Sequence, residues 1–118
     1  MDMQEQEVER PRRKTDTSNA EARQAIADTV SRFPAWRSDL AQYAVIAERR
    51  FSTAERQRML DRCEVIMREV QEARVALVMG LMDAPRMVAG HSRVSDVEKA
   101  LDGVEASVNA LRRRLRDS

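Results

Sequence analysis

Seven apolar residues near the end of the chain, Val94, Val97, Leu101, Val104, Val108, Leu111 and Leu115, are spaced 3, 4, 3, 4, 3, 4. That spacing gathers them on one narrow stripe of a helix, the geometry with which one helix packs along another. A second stripe, Met59, Cys63, Ile66, Val70, Ala73 and Leu77, runs at 4, 3, 4, 3, 4 just upstream. Two long helices, each with a face built to meet a helix, are therefore expected, and the alternating pattern of a half-buried strand is absent.

The punctuation of the chain sets the expected elements. Ser18 and Glu21 form a capping-box pattern ahead of Ala22, Ile26, Val30 and Phe33, which predicts a first helix over 19–32, broken at Pro34. Pro34 then opens a second helix carrying Trp36, Leu40, Tyr43 and Ala47 and ending near Arg50. Ser52 with Glu55 is another capping box and starts a third helix, about Thr53 to Met82, stopped by Pro85. Asp83 to His91, with Pro85 and Gly90, reads as the turn into a fourth helix capped by Ser92 or Ser95. The expected fold is all-α, a four-helix arrangement with a long antiparallel coiled-coil-like hairpin of helices three and four crossed by two shorter helices.

With 118 residues, the chain fits one domain, taken as 18–118 behind a disordered polar tail at 1–17 that has no apolar period to bury. Phe33, Trp36, Tyr43 and Phe51 are the only aromatics, so the core is aliphatic with one bulky cluster where the short helices meet the long pair. Cys63 stands on an apolar stripe and reads as a small buried hydrophobe in a reducing compartment, which with the lack of a signal-peptide pattern points to the cytoplasm. No apolar run approaches the ~20 residues of a membrane span. Arginine far outnumbers lysine among the 21 basic residues, a bias of GC-rich bacterial or phage genomes.

Catalytic chemistry has little to work with. One histidine, His91, cannot supply the paired Glu-x-x-His ligands of a di-iron bundle, and the inward positions of the two long helices carry no carboxylate pair. Three scattered glycines make no phosphate loop. A histidine phosphotransfer bundle places its histidine in mid-helix before a Lys-Gly pair, whereas Ser92, Arg93 and Val94 follow His91 at a helix start. The expectation is a protein that is not an enzyme and takes no metal or cofactor.

Assembly is what the pattern favours. The run Val75 to Met82 lacks any charge over eight residues, so it covers every side of two helical turns and needs cover on every side. Val75, Val78, Met79, Leu81 and Met82, with Met87 and Val88 in the adjoining loop, are the candidate oligomer or partner surface. The expected role is an adaptor, chaperone-like or structural subunit, with phage and secretion systems as one setting. Its partner would be a second copy (a homodimer or higher oligomer) or another helical protein, held by the heptad faces and the 75–88 patch. The rival reading is an accessory protein touching nucleic-acid phosphates through Arg12, Arg13 and Lys14 together with Arg112, Arg113, Arg114 and Arg116. A net charge of +1 argues against a surface wholly devoted to a polyanion.

Overall fold

The apolar stripe expected to stop at Pro34 continues through it. Ala22, Ile26, Thr29, Phe33, Trp36, Leu40, Tyr43 and Ala47 follow one another at 4, 3, 4, 3, 4, 3, 4, and all are buried except Tyr43, which is half-buried. A computed structural model of the chain describes residues 2–82 and 91–117, with side chains over 20–82 and 93–117. Its described residues form three helices and no strand: α1 Asp2–Ala47, α2 Thr53–Leu81 and α3 His91–Asp117. The all-α expectation holds, and the four-helix arrangement is corrected to three because the first two expected helices are one.

The reason lies in what flanks Pro34. A proline in a helix interior lacks the N–H for the carbonyl four residues back and costs ~3 kcal/mol. Pro34 itself is exposed, away from the core, while Phe33 and Trp36 on either side are 6% and 2% exposed. Each such ring buries ~150–250 Å², worth ~4–6 kcal/mol at ~25 cal/mol per Å², so keeping both on one seam outweighs the lost bond. The two rings meet edge to face at 5.5 Å and 83°. Tyr43 and Phe51 pack half-buried against the core, but the expected single cluster of four aromatics reduces to this one ring pair.

Thr29 is the polar member of the seam, in the place where the apolar pattern leads one to expect Val30. Its hydroxyl donates to the Ala25 carbonyl at 2.8 Å, which satisfies the only polar atom it brings into the interior. Val30 turns outward. The polar segment 1–17, expected to be unstructured, is helical from Asp2; its sequence is rich in Glu, Gln and Arg, which are good helix formers. Ser18 and Glu21 consequently lie within α1 and not at the start of a helix.

Contacts fix the directions of the helices. As α1 descends through Asp39, Trp36 and Ala25, its partners on α2 ascend through Arg62, Glu69 and Gly80, so these two run antiparallel. Arg74 of α2 bonds Asp102 at 2.6 Å and Glu105 at 2.8 Å on α3. The Arg114 Nε of α3 donates to the Ala47 carbonyl at 3.2 Å, which brings the C-terminal ends of α1 and α3 together and makes those helices parallel. The result is an up-down-up bundle 73 Å long and 24 by 17 Å across. At 1.5 Å per residue the 46 residues of α1 span ~69 Å and set that length.

Both long stripes are consumed inside this bundle. Met59, Cys63, Ile66, Val70, Ala73 and Leu77 of α2 are buried, as are Val97, Leu101, Val104, Val108, Leu111 and Leu115 of α3, with Val94 half-buried beside them. The heptad faces are thus intramolecular, and the expectation that they hold a second chain is corrected: α1 and the opposite long helix already cover them. Ser52 caps α2 as the sequence predicts, its hydroxyl accepting from the Glu55 N–H and its N–H donating to the Glu55 carboxylate, both at 3.0 Å. Helix α3 starts at His91, so Ser92 and Ser95 lie inside its first turns and are not caps. Pro85, Gly90 and the rest of the expected turn lie outside the described residues.

Candidate interaction surface

Once the core of α2 is fixed, its outward face is fixed with it. Helical positions 64, 68, 71, 75, 78 and 82 form a stripe opposite the buried one, and its character changes along its length. Glu64, Arg68 and Gln71 are polar; Val75, Val78 and Met82, with Met79 beside them, are not. These four apolar side chains are 62–70% exposed and stand at i, i+3, i+4 and i+7, the face with which an amphipathic helix meets another. Together they present on the order of 400 Å², the size of a functional patch on a monomer.

Leu81 does not belong to this surface. It is half-buried against the core, carrying the α2 seam one turn beyond Leu77. Met87 and Val88 lie outside the described residues.

Clefts flank the helices among the described residues. A groove of about 1040 Å³ runs between α1 and α3, floored by Leu40, Val104 and Leu111 and walled by Ala41, Ala44, Gly103 and Ser107. A smaller cleft of about 330 Å³ lies between α1 and α2 near Ala25, Ala73 and Ala76. Sequence reasoning missed both, although small residues at 41 and 44 and at 100, 103, 107 and 110 flank the seams at helical spacing.

The basic residues proposed to act together are apart. Arg12, Arg13 and Lys14 belong to the first part of α1, whereas Arg112, Arg113, Arg114 and Arg116 end α3, which runs parallel to α1. About 33 helical residues separate Lys14 from Ala47, or ~50 Å. The two clusters stand toward opposite ends of the rod.

Reactive groups are shielded or scattered. Cys63 is fully buried, and burial raises its thiol above the usual range, with Arg112 opposing the shift. The Trp36 indole N–H donates to a Glu69 carboxylate oxygen at 3.1 Å. Asp39 holds Arg62 at 2.8 Å and raises its guanidinium, and Asp102, with Glu105, does the same to Arg74. Among the described residues no three His, Cys, Asp or Glu side chains converge on a point that would hold a metal ion. No described helix is long and apolar enough to cross a membrane. Comparison of the chain with protein families, with curated proteins and with solved structures returns no match.

Proposed function

We propose that this protein is a non-catalytic helical assembly module, an adaptor or structural subunit, that self-associates through the outer stripe of α2. The observation that carries the reading is the change in that stripe at Val75, from exposed polar to exposed apolar residues. The occupant is a second copy packed antiparallel. A two-fold axis near Val78 and Met79 sets Val75 of each copy against Met82 of the other, so every apolar residue meets an apolar one. A parallel pairing would instead lay Glu64 on Glu64 and Arg68 on Arg68, like charges face to face.

Roughly 400 Å² of apolar surface per copy is half the ~800 Å² per partner of a standard interface, which places the pairing in the small, transient class and calls for a wide concentration range in its test. Sedimentation across ~1–200 μM should show the apparent mass rising from one chain toward two. Met79→Glu should remain helical by circular dichroism and sediment as a single chain throughout. A protein that stays at the mass of one chain across that range, or a dimer indifferent to Met79→Glu, overturns the proposal.

A further inference from the structure

The fold concentrates charge at one end. The turn after α1, the first turns of α2 and the last turns of α3 meet where Arg114 bonds the Ala47 carbonyl. Residues 48–58 and 112–117 carry eight arginines against Glu48, Glu55 and Asp117, a formal +5, while the rest of the chain sums to −4 to give the total of +1. The side chains sense one another there. The Glu55 carboxyl, lowered first by the Ser52 N–H, is lowered further by Arg49 and Arg58, and Arg112 acts on Cys63 of the same α2 segment.

Helix-end electrostatics account for a small part of this. The C-terminal ends of α1 and α3 contribute roughly −0.5 each and the N-terminal end of α2 roughly +0.5, so about half a positive charge would balance them. The end carries ten times that. Arg114 is engaged with Ala47, and the Arg56 guanidinium lies 5.5 Å over the Phe51 ring. Arg49, Arg50, Arg58, Arg113 and Arg116 are exposed and make no ion pair within 4.0 Å among the described residues.

We infer that this arginine-rich end binds the phosphate backbone of duplex nucleic acid, without regard to sequence, through Arg49, Arg50 and Arg58 on one side and Arg113 and Arg116 on the other. Every cation in the cluster is a guanidinium, whose planar fork matches two phosphate oxygens. An end at most 24 by 17 Å across faces on the order of ten duplex phosphates, at one charge per ~1.7 Å of axis. A single strand is disfavoured because no exposed aromatic offers a base a stacking platform: Phe51 is half-buried beneath Arg56. A bilayer surface is disfavoured because the end has no apolar stripe to insert, Val45 being the one large apolar side chain exposed near it among the described residues. The inference is independent of the α2 stripe, which lies at the other end of that helix.

The test is fluorescence anisotropy with a labelled ~20-base-pair duplex of arbitrary sequence, from ~50 to ~300 mM salt. The unmodified protein should bind at low salt, with log affinity falling against log salt at a slope of about −3 to −5. Arg49→Gln/Arg50→Gln with Arg113→Gln/Arg116→Gln should stay helical and bind at least roughly tenfold more weakly at ~50 mM, with the slope flattened by about 3. Arg12→Gln/Arg13→Gln, toward the far end of α1, should bind as the unmodified protein does. No binding at ~50 mM salt overturns the inference, as does equal loss with the Arg12/Arg13 variant. Binding to vesicles rich in anionic lipid without binding to the duplex also overturns it.

Discussion

A Cβ added at Gly80 of α2 would stand 2.5 Å from the Cβ of Ala25 on α1, and 3.3 Å from the Glu21 carbonyl oxygen. Atoms do not approach so closely, and an alanine Cβ has no rotamer by which to yield. The two helices therefore reach this separation only because one residue has no side chain, and Gly80 pins α1 against α2 at the end where the exposed stripe lies. At Gly103 of α3 an added Cβ meets nothing within 4 Å.

The two glycines should respond in opposite directions to the same change. Gly103 sits in the interior of α3, where alanine is better than glycine by up to ~1 kcal/mol, whereas Gly80 lies in the last turn of α2, where that preference is weaker. Gly103→Ala should realise that gain and raise stability by ~0.5–1 kcal/mol in urea unfolding. Gly80→Ala should lose ~1–3 kcal/mol as α1 is pushed away. Adding Ala25→Gly to Gly80→Ala should recover part of the loss, a coupling that a mere propensity effect would not produce.

Three apolar-to-acid changes separate core from surface. Val104 is 4% exposed, and Val104→Asp buries an unpaired charge whose cost of several kcal/mol is comparable with the whole stability of a small domain. That variant should unfold. Met79→Glu should keep full helicity, and Leu81→Glu should fall between them because Leu81 leans on the core from a half-buried position. Circular dichroism with thermal melting gives the order directly; Leu81→Glu as stable as Met79→Glu would return Leu81 to the exposed surface.

The reciprocal cap at the start of α2 makes stability depend on pH. Ser52→Ala should cost ~1 kcal/mol. The Glu55 carboxyl is held below its ordinary value, chiefly by the Ser52 backbone N–H and then by the Ser52 hydroxyl, Arg49 and Arg58. A carboxyl lowered in the folded state adds stability above its unfolded pKa of about 4.3 and loses it as pH falls through the lower folded value. The difference in melting temperature between the unmodified protein and Glu55→Gln should accordingly be present at pH 7 and shrink below about pH 4. A difference constant from pH 7 to pH 3 would mean that the carboxylate charge plays no part.

The seams of α2 and α3 are legible because the 4, 3, 4, 3 spacing runs unbroken through five or more steps in each, and the apolar neighbours such as Leu60, Val65 and Met67 do not sustain a second stripe of that length. Met59 to Leu77 and Val97 to Leu115 are buried as their spacing demands. Two residues obscured α1: Thr29 puts a hydroxyl where the period calls for an apolar group, and Pro34 carries the strongest helix-breaking signal in the alphabet. Yet Phe33 and Trp36 are three apart, which keeps the stripes before and after Pro34 in phase; that continuity was the available sign of one helix. In the uncharged run 75–82, continuing the seam from Leu77 to Leu81 assigns Leu81 inward and leaves Val75, Val78, Met79 and Met82 outside. The basic end follows from the antiparallel pairing of the two long helices, which sets the start of α2 beside the end of α3 although Arg58 and Arg112 are 54 positions apart; the bond from Arg114 to the Ala47 carbonyl then adds the end of α1.

Pro34 offers the sharpest test of the continuous α1. If one helix passes through an exposed proline, Pro34→Ala restores a backbone hydrogen bond and removes a steric strain together worth ~3 kcal/mol. The greater freedom of alanine in the unfolded chain returns ~0.4–1 kcal/mol of that, leaving a net stabilisation of about 2 kcal/mol. If the helix instead ended at Phe33 and restarted at Pro34, the proline would occupy the first helical position, where its fixed φ helps and its missing N–H costs nothing. Pro34→Ala would then be neutral or destabilising. Urea unfolding of the single variant distinguishes the two: a midpoint shifted upward supports an unbroken seam from Ala22 to Ala47, and a midpoint unchanged or lowered means that Phe33 and Trp36 belong to separate helices.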